Sequence, residues 1–261
     1  MARPRAADYD EQRTLLMREA AALFAQRGYT AATMSDVAAA CGVSKATLYH
    51  YFSDKHALLR EIVGTHVARL QALARDVMPD MSAPAGLSRS DAPGPGATVS
   101  HLEAAGWARD DERRLRELIR RFMLAYADAQ NEHRVLTEDV KFLDDAARQT
   151  VLDGQREVVA AFARGIAACR HDLDPAMTKP LAMLLFGMIN WTFTWLRPQG
   201  VLTHDALGRV VADLFFGGLG QVCAAEPTPG ARQGRAQEQG GGADPADAPR
   251  AQDQAQAPAG L

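Results

Sequence analysis

Residues 33–55, TMSDVAAACGVSKATLYHYFSDK, leave few folds open to the chain. They read as two short helices joined by a tight turn. Thr33 is placed to cap the first, with Asp36 three residues on as a capping-box partner. Ala38, Ala39 and Ala40 favour helix and leave room for close packing. Gly42 supplies the backbone freedom of a sharp turn, and Val43 gives it an apolar plug. Ser44 caps a second helix over residues 45–50. Leu48 and Phe52 are spaced four apart and should face inward, with Tyr51 beside them, whereas Lys45, Thr47, Tyr49 and His50 point elsewhere. A helix this short is not stable alone. It has to lie on a scaffold, and its outward side chains are donors and stackers that suit nucleic acid. The pattern is that of a helix-turn-helix.

Composition bounds the rest. The 261 residues suffice for one or two domains, and 47% hydrophobic with 7% aromatic content is ordinary for a soluble helical protein. No apolar run is long enough to span a bilayer, and MARPRAADYDEQR lacks the apolar core of a signal peptide. The expectation is a cytoplasmic protein with no membrane partner. Cys41, Cys169 and Cys223 are far apart and form no CxxC pair, which argues against a disulfide framework or a zinc site. They read as inert thiols, with redox sensing through Cys41 as the alternative. Neither a metal nor a cofactor is expected. The net charge of −3 offers no bulk attraction to DNA, so any basic footprint rests on local placement of Arg3, Arg5, Lys45 and Lys55.

The pattern along the chain is helical throughout. Residues 1–8 read as a loose arm, and a first helix is expected over residues 10–27, ended by Gly28. With the helix-turn-helix it makes an N-terminal domain over residues 9–56. Asp54 caps a long helix running to residue 78, a stiff connection that can carry movement. Residues 79–109 are rich in Pro, Gly, Ser and Ala and read as a flexible insertion, with one possible helical turn at 101–105 and Trp107 as a residue that packs back. An effector-binding and dimerisation domain is expected over residues 110–222: helices at 110–130 and 144–169, a short element at 133–143, one continuous apolar helix opened by Asp174 and Pro175 and running to residue 196, and a last helix over 204–216. Residues 223–261 cannot bury enough apolar surface to fold and read as a disordered tail. The fold class is therefore all-α.

From about Gln12 to Leu59 the chain resembles the DNA-binding domain of TetR-family transcriptional regulators. The likeness rests on Leu23, Phe24, Gly28, Thr30, Thr33, Val37, Ala38 and above all the run GVSKATLYHYFSDKHALL. In a docked helix-turn-helix the second helix enters the major groove. Lys45 can donate to guanine or phosphate, Thr47 can donate to phosphate or meet a thymine methyl, and Tyr49 and His50 can donate to phosphate. Thr33, Ser35 and Ser44 sit at helix N-termini, whose amides suit a phosphate. The resemblance also implies that Tyr49 and Lys55 lie against the DNA backbone.

The second candidate site is the helical body. Phe122, Tyr126, Phe142, Phe186, Trp191 and Trp195 are more apolar bulk than a minimal bundle needs, and read either as core and dimer interface or as the lining of a ligand cavity. Asn190 stands in a highly apolar run and needs a hydrogen-bond partner if buried. The run LLFGMINWTFTWLRPQGVLTHDALGRVVADLFFGGL is similar to family members that sense acyl-CoA thioesters, and VLTEDVKFL with MINWTFTWLRPQGVLTHDA to repressors of phenylacetate degradation, whose effector is phenylacetyl-CoA. Lys141, Arg148, Arg156, Lys179 and Arg197 are the candidate cations for coenzyme A phosphates. What the resemblance implies is a homodimeric repressor, held on a double-stranded inverted-repeat operator and released by a small effector. A drug-responsive efflux repressor is the alternative within the fold. An acyl-CoA-binding enzyme is the rival from another class, but the scattered histidines join no nucleophile or carboxylate pattern.

Overall fold

The computed structural model describes residues 5–78, 101–197 and 200–219, all of it helix, turn and loop. Arg3, residues 79–100, Cys223 and the tail expected over 223–261 lie outside the described residues, as do the side chains of Arg5 and Trp107.

The N-terminal elements are α1 (Arg5–Arg27), α2 (Met34–Ala40) and α3 (Lys45–Tyr51). Helix α1 starts at Arg5 and takes up part of the expected loose arm, as Arg5, Ala6 and Ala7 favour. Gly28 and Gly42 both have positive φ, +84° and +65°, where a side chain would be strained. Thr33 and Asp36 form the reciprocal capping box at α2, and Ser44 Oγ accepts the Thr47 amide at 3.0 Å to start α3. Leu48 and Phe52 turn inward with Leu16, Phe24 and Val37.

Helix α4 (Lys55–Val77) is capped by Asp54, which accepts the Ala57 amide at 2.7 Å. Its first half closes the N-terminal core and its second half enters the core of the body, so one rigid rod belongs to both. Arg13 of α1 pairs with Glu61 of α4 and fastens the two.

The body comprises α5 (His101–Asp128), α6 (Gln130–Asp139), a 3-10 turn (Val140–Phe142), α7 (Asp145–Cys169), α8 (Pro175–Ile189), α9 (Thr192–Trp195) and α10 (His204–Leu219). Helix α5 begins nine residues earlier than the sequence reading placed it, because HLEAAGWAR consists mostly of helix-tolerant residues despite Gly106. Helix α10 likewise runs through Gly217 and Gly218 to Leu219.

The expected single helix over residues 175–196 is broken. Helix α8 ends at Ile189, and α9 follows after a turn. The Asn190 carbonyl, which an unbroken helix would offer to Thr194, instead faces His133 Nε2 at 3.1 Å. The Thr192 and Thr194 hydroxyls donate to the carbonyls of Ile189 and Trp191. Local side-chain bonding of this kind competes with the helical ladder. Nor is α8 buried all round: Leu181, Leu185 and Ile189 are in the core, whereas Leu184 remains 65% exposed.

Helices α4 and α7 approach closely at two glycines. A Cβ on Gly154 would come within 2.5 Å of Val67 Cγ1, and one on Gly165 within 2.8 Å of Met78 Cε. The seat of α4 on the body therefore depends on the absence of those methyl groups.

A candidate nucleic-acid interface and the body behind it

Helix α3 presents one apolar face inward and one polar face outward. Leu48 is fully buried, while Ser44, Lys45, Thr47, Tyr49 and His50 are exposed, Tyr49 by 50%. Lys45 makes no ion pair with another described residue. The Thr47 hydroxyl is 2.8 Å from Ser44 Oγ, so part of its capacity goes into the cap. The His50 ring stands edge-on to Tyr51 and to Tyr9 of α1, which limits its rotation. On α2 the Thr33 hydroxyl donates to Asp36 at 2.6 Å, and Ser35 is exposed in the first turn.

Lys55, which the resemblance places against the DNA backbone, is engaged by groups of the protein itself. Its Nζ donates to the carbonyls of Tyr29 and Ala32, both at 2.8 Å, and reaches that of Thr30 at 3.4 Å. It also lies 4.3 Å from the centroid of the Tyr29 ring. Those contacts use the donors of an ammonium group to close the turn after α1 onto α4. Tyr29 is packed between Phe24 and Phe142, and burial pushes its phenol up to about 12.

Of the seven expected ligand-lining residues, the structure gathers Phe122, Tyr126, Phe186 and Asn190. The rings of Phe122, Phe162 and Phe186 meet at 4.8–6.5 Å. Tyr126 donates to Asn190 Oδ1 at 3.0 Å, which answers the demand for a partner. Phe142 is not with them: it stacks on Tyr29, at the junction with the N-terminal helices. Trp191 and Trp195 are about half exposed.

Two histidines that sequence reasoning passed over complete this cluster. His66 of α4 and His133 of α6 are buried, with His66 Nε2 3.4 Å from His133 Nδ1. Since His133 Nε2 faces a carbonyl, it carries the proton; its Nδ1 then accepts, and His66 Nε2 donates. The His133 ring stacks on Tyr126 with centroids 3.8 Å apart. Burial holds both imidazoles well below their usual pKa, so both are neutral at pH 7. The chain of contacts runs from the end of α8 to the middle of α4. Its only sequence signal was a histidine on an otherwise apolar face.

Cys41 and Cys169 are half-buried, and burial raises their thiols to about 11 and about 12, far from the range of a reactive thiolate.

Three cavities lie away from the aromatic cluster. One of about 630 Å³ runs between α7 and α8, with Leu152, Val159, Ala163 and Met183 beside Arg156, Arg164 and Lys179. One of about 320 Å³ lies between α4 and α7, bordered by Gln71, Arg75, Met78, Glu157 and Arg164. A third, of about 340 Å³, sits among paired charges between α5 and α10. None of the seven residues expected from the sequence lines these three.

The capped two-helix unit, its exposed second helix and the helical body behind it define a DNA-binding regulator of the helix-turn-helix class. Comparison with known proteins carries this further. Residues 16–62 match the model described as bacterial regulatory proteins, tetR family, and residues 108–219 match that of the tetracyclin repressor-like C-terminal domain. The chain belongs to the TetR family and is a DNA-binding transcriptional repressor. It is 25% identical over 215 residues to the HTH-type transcriptional repressor KstR2 of Mycobacterium tuberculosis, covering 82% of this chain and 96% of that one. A TetR-family regulator from Bordetella parapertussis superposes with a TM-score of 0.65 at 29% identity, over 82% of this chain and 98% of that one. AibR, solved in complex with isovaleryl coenzyme A and operator DNA, shares the fold with a TM-score of 0.59 at 20% identity, over 78% of this chain and 97% of that one. Among the described residues no helix is long and apolar enough to cross a membrane.

Proposed function

We propose that the protein is a homodimer that represses from an inverted-repeat operator and lets go when an acyl-CoA thioester, such as phenylacetyl-CoA, binds its body. The observation that carries the DNA half is the outward face of α3, where Lys45 and Tyr49 are exposed while Leu48 beneath them is fully buried. Lys45 and Tyr49 meet phosphate and base edges; Ser44, Thr47 and His50 frame them, and Thr33 and Ser35 bring the first turn of α2 to the flanking phosphate. Two recognition helices related by a two-fold axis read two half-sites in successive major grooves.

The homodimer rests on the outer faces of α8 and α10. Leu184 of α8 and Val210 and Leu214 of α10 are large, apolar and exposed, and Trp191 and Trp195 at α9 are about half exposed beside them in sequence. An apolar patch of that kind favours a second copy.

The effector reading rests on the sequence likeness of residues 184–219 to acyl-CoA-responsive members, and AibR, with its isovaleryl coenzyme A, is a structural neighbour. Control is linkage: the effector binds better to a conformation whose recognition helices are wrongly spaced for DNA. Helix α4 is the carrier, because it enters both cores and meets His133 of α6 through His66, and His133 in turn holds the Asn190 carbonyl at the end of α8.

The test is fluorescence anisotropy on DNA from upstream of the protein's own gene. Lys45→Ala and Tyr49→Ala should each weaken binding, by about 1–3 kcal/mol where a base contact is lost. Unchanged affinity in both variants removes α3 from the interface, and a monomer in sedimentation velocity refutes the two-fold arrangement.

A further inference from the structure

The cavity between α7 and α8 has a composition that neither the core nor a dimer contact explains. Leu152, Val159 and Ala163 follow one another at helical spacing along α7 and are only half-buried, and Met183 of α8 faces them, 52% exposed. A volume of about 630 Å³ is that of a small-molecule site. Arg164 and Lys179 stand on its two walls, both exposed. Neither has a carboxylate partner among the described residues, whereas Arg156 at the same cavity is paired with Asp153. An apolar floor between two unpaired cations is complementary to an amphiphilic anion.

We propose that this groove seats the effector, with an acyl chain or ring on Val159, Ala163 and Met183 and the anionic part on Arg164 and Lys179. The proposal rests on the acyl-CoA reading above and gives it a place that the seven residues read from the sequence did not. A second copy of the chain is a poorer occupant. The exposed faces of α8 and α10 are apolar, and Asp205 and Asp213 of α10 are already paired with Arg120 and Arg116. Such a face has no free carboxylate to set against Arg164 and Lys179. The position also explains how occupancy reaches DNA. Arg164 borders the smaller cavity against α4 as well, beside Arg75, and the neighbouring Gly165 is where Met78, the residue that ends α4, rests on α7. An anion drawn onto Arg164 bears on the seat of the connecting helix.

Two sources share this chemistry, a free fatty carboxylate and a coenzyme A thioester. Calorimetric titration of the full-length protein with decanoate, decanoyl-CoA, phenylacetyl-CoA and coenzyme A alone separates them. The variants are Arg164→Glu with Lys179→Glu, which reverses the anchors, and Ala163→Trp, which fills the floor. The wild type should bind an acylated probe, and both variants should weaken it about tenfold or more, as expected for loss of charge-assisted contacts or of the space itself. Both should keep their operator affinity and dimer mass. Equal probe affinity in wild type and variants overturns the proposal, as does failure of every acylated probe to bind the wild type. A monomeric charge-reversal variant with unchanged probe affinity assigns the groove to a second copy. If acyl-CoA releases operator DNA equally from the variants, the groove is wrong and the acyl-CoA reading stands. If the groove binds a probe that releases no DNA, the groove stands and the reading falls.

Discussion

Lys55→Met separates two accounts of one residue. The substitution keeps most of the stem and removes the ammonium group. In the structure it abandons two hydrogen bonds of 2.8 Å, to the carbonyls of Tyr29 and Ala32, a longer one to Thr30, and the contact over the Tyr29 ring. A hydrogen bond to a charged group contributes about 1.5–3 kcal/mol when shielded. Lys55 is only partly buried, and water can reach the freed carbonyls, so the sum is discounted to about 2–3 kcal/mol. For a folded body of this size that is a fall in Tm of about 5–10 °C. Differential scanning calorimetry measures it. Anisotropy well below the melt should find operator affinity within about threefold and a salt dependence of unchanged slope. The refuting result is the converse: an unchanged Tm with weaker binding and a slope reduced by about one, the signature of a lost phosphate contact.

Other perturbations reach the junction of α4 with the body. Gly154→Ala places a methyl group within 2.5 Å of Val67 Cγ1, so it should cost about 1–3 kcal/mol in urea denaturation, and an unchanged midpoint would show that α4 is not held where the structure has it. Tyr126→Phe leaves Asn190 Oδ1 without its donor and should destabilise by about 1–3 kcal/mol, with no effect if water replaces the hydroxyl. The buried histidines predict a pH dependence. Their folded pKa values are depressed by burial, so the unfolded chain binds more protons below about pH 6.5, and stability present at pH 7 is lost as pH falls through that value. The slope is about 1.4 kcal/mol per pH unit for each imidazole. Asp139 opposes it: burial raises its carboxyl to about 6, so the folded state holds the extra proton between pH 4 and 6. Replacing His66 and His133 by Phe should therefore flatten or reverse the fall in Tm between pH 7 and 5.5, and an undiminished fall would place its origin elsewhere.

The N-terminal domain was legible because its signals are local. Thr33 with Asp36, Gly28, Gly42, Ser44 and Asp54 each determine the backbone within four residues, and each takes the role its neighbours in sequence imply. The protein contacts of Lys55 were not legible because its partners lie 23–26 residues away, and nothing at its own position announces them. The same limit explains Phe142, whose partner Tyr29 belongs to another helix pair, and His133, whose carbonyl partner breaks the expected helix at Asn190. Composition misled at the start of α5, where Pro and Gly upstream masked a helix-forming stretch. Apolar periodicity says that a face is covered but not by what. The outward side chains of α8 and α10 carry the same residues that would serve a core.

The central claim is that α3 holds DNA and that the body releases it. Its most direct measurement is anisotropy of labelled promoter DNA, bound by the full-length protein and then titrated with phenylacetyl-CoA. The account predicts salt-sensitive binding to one specific site, weakened by about 1–3 kcal/mol in Tyr49→Ala, and a fall in anisotropy to the free value as the thioester saturates. Undiminished binding in Tyr49→Ala, or binding that does not respond to phenylacetyl-CoA or any other acyl-CoA, contradicts it.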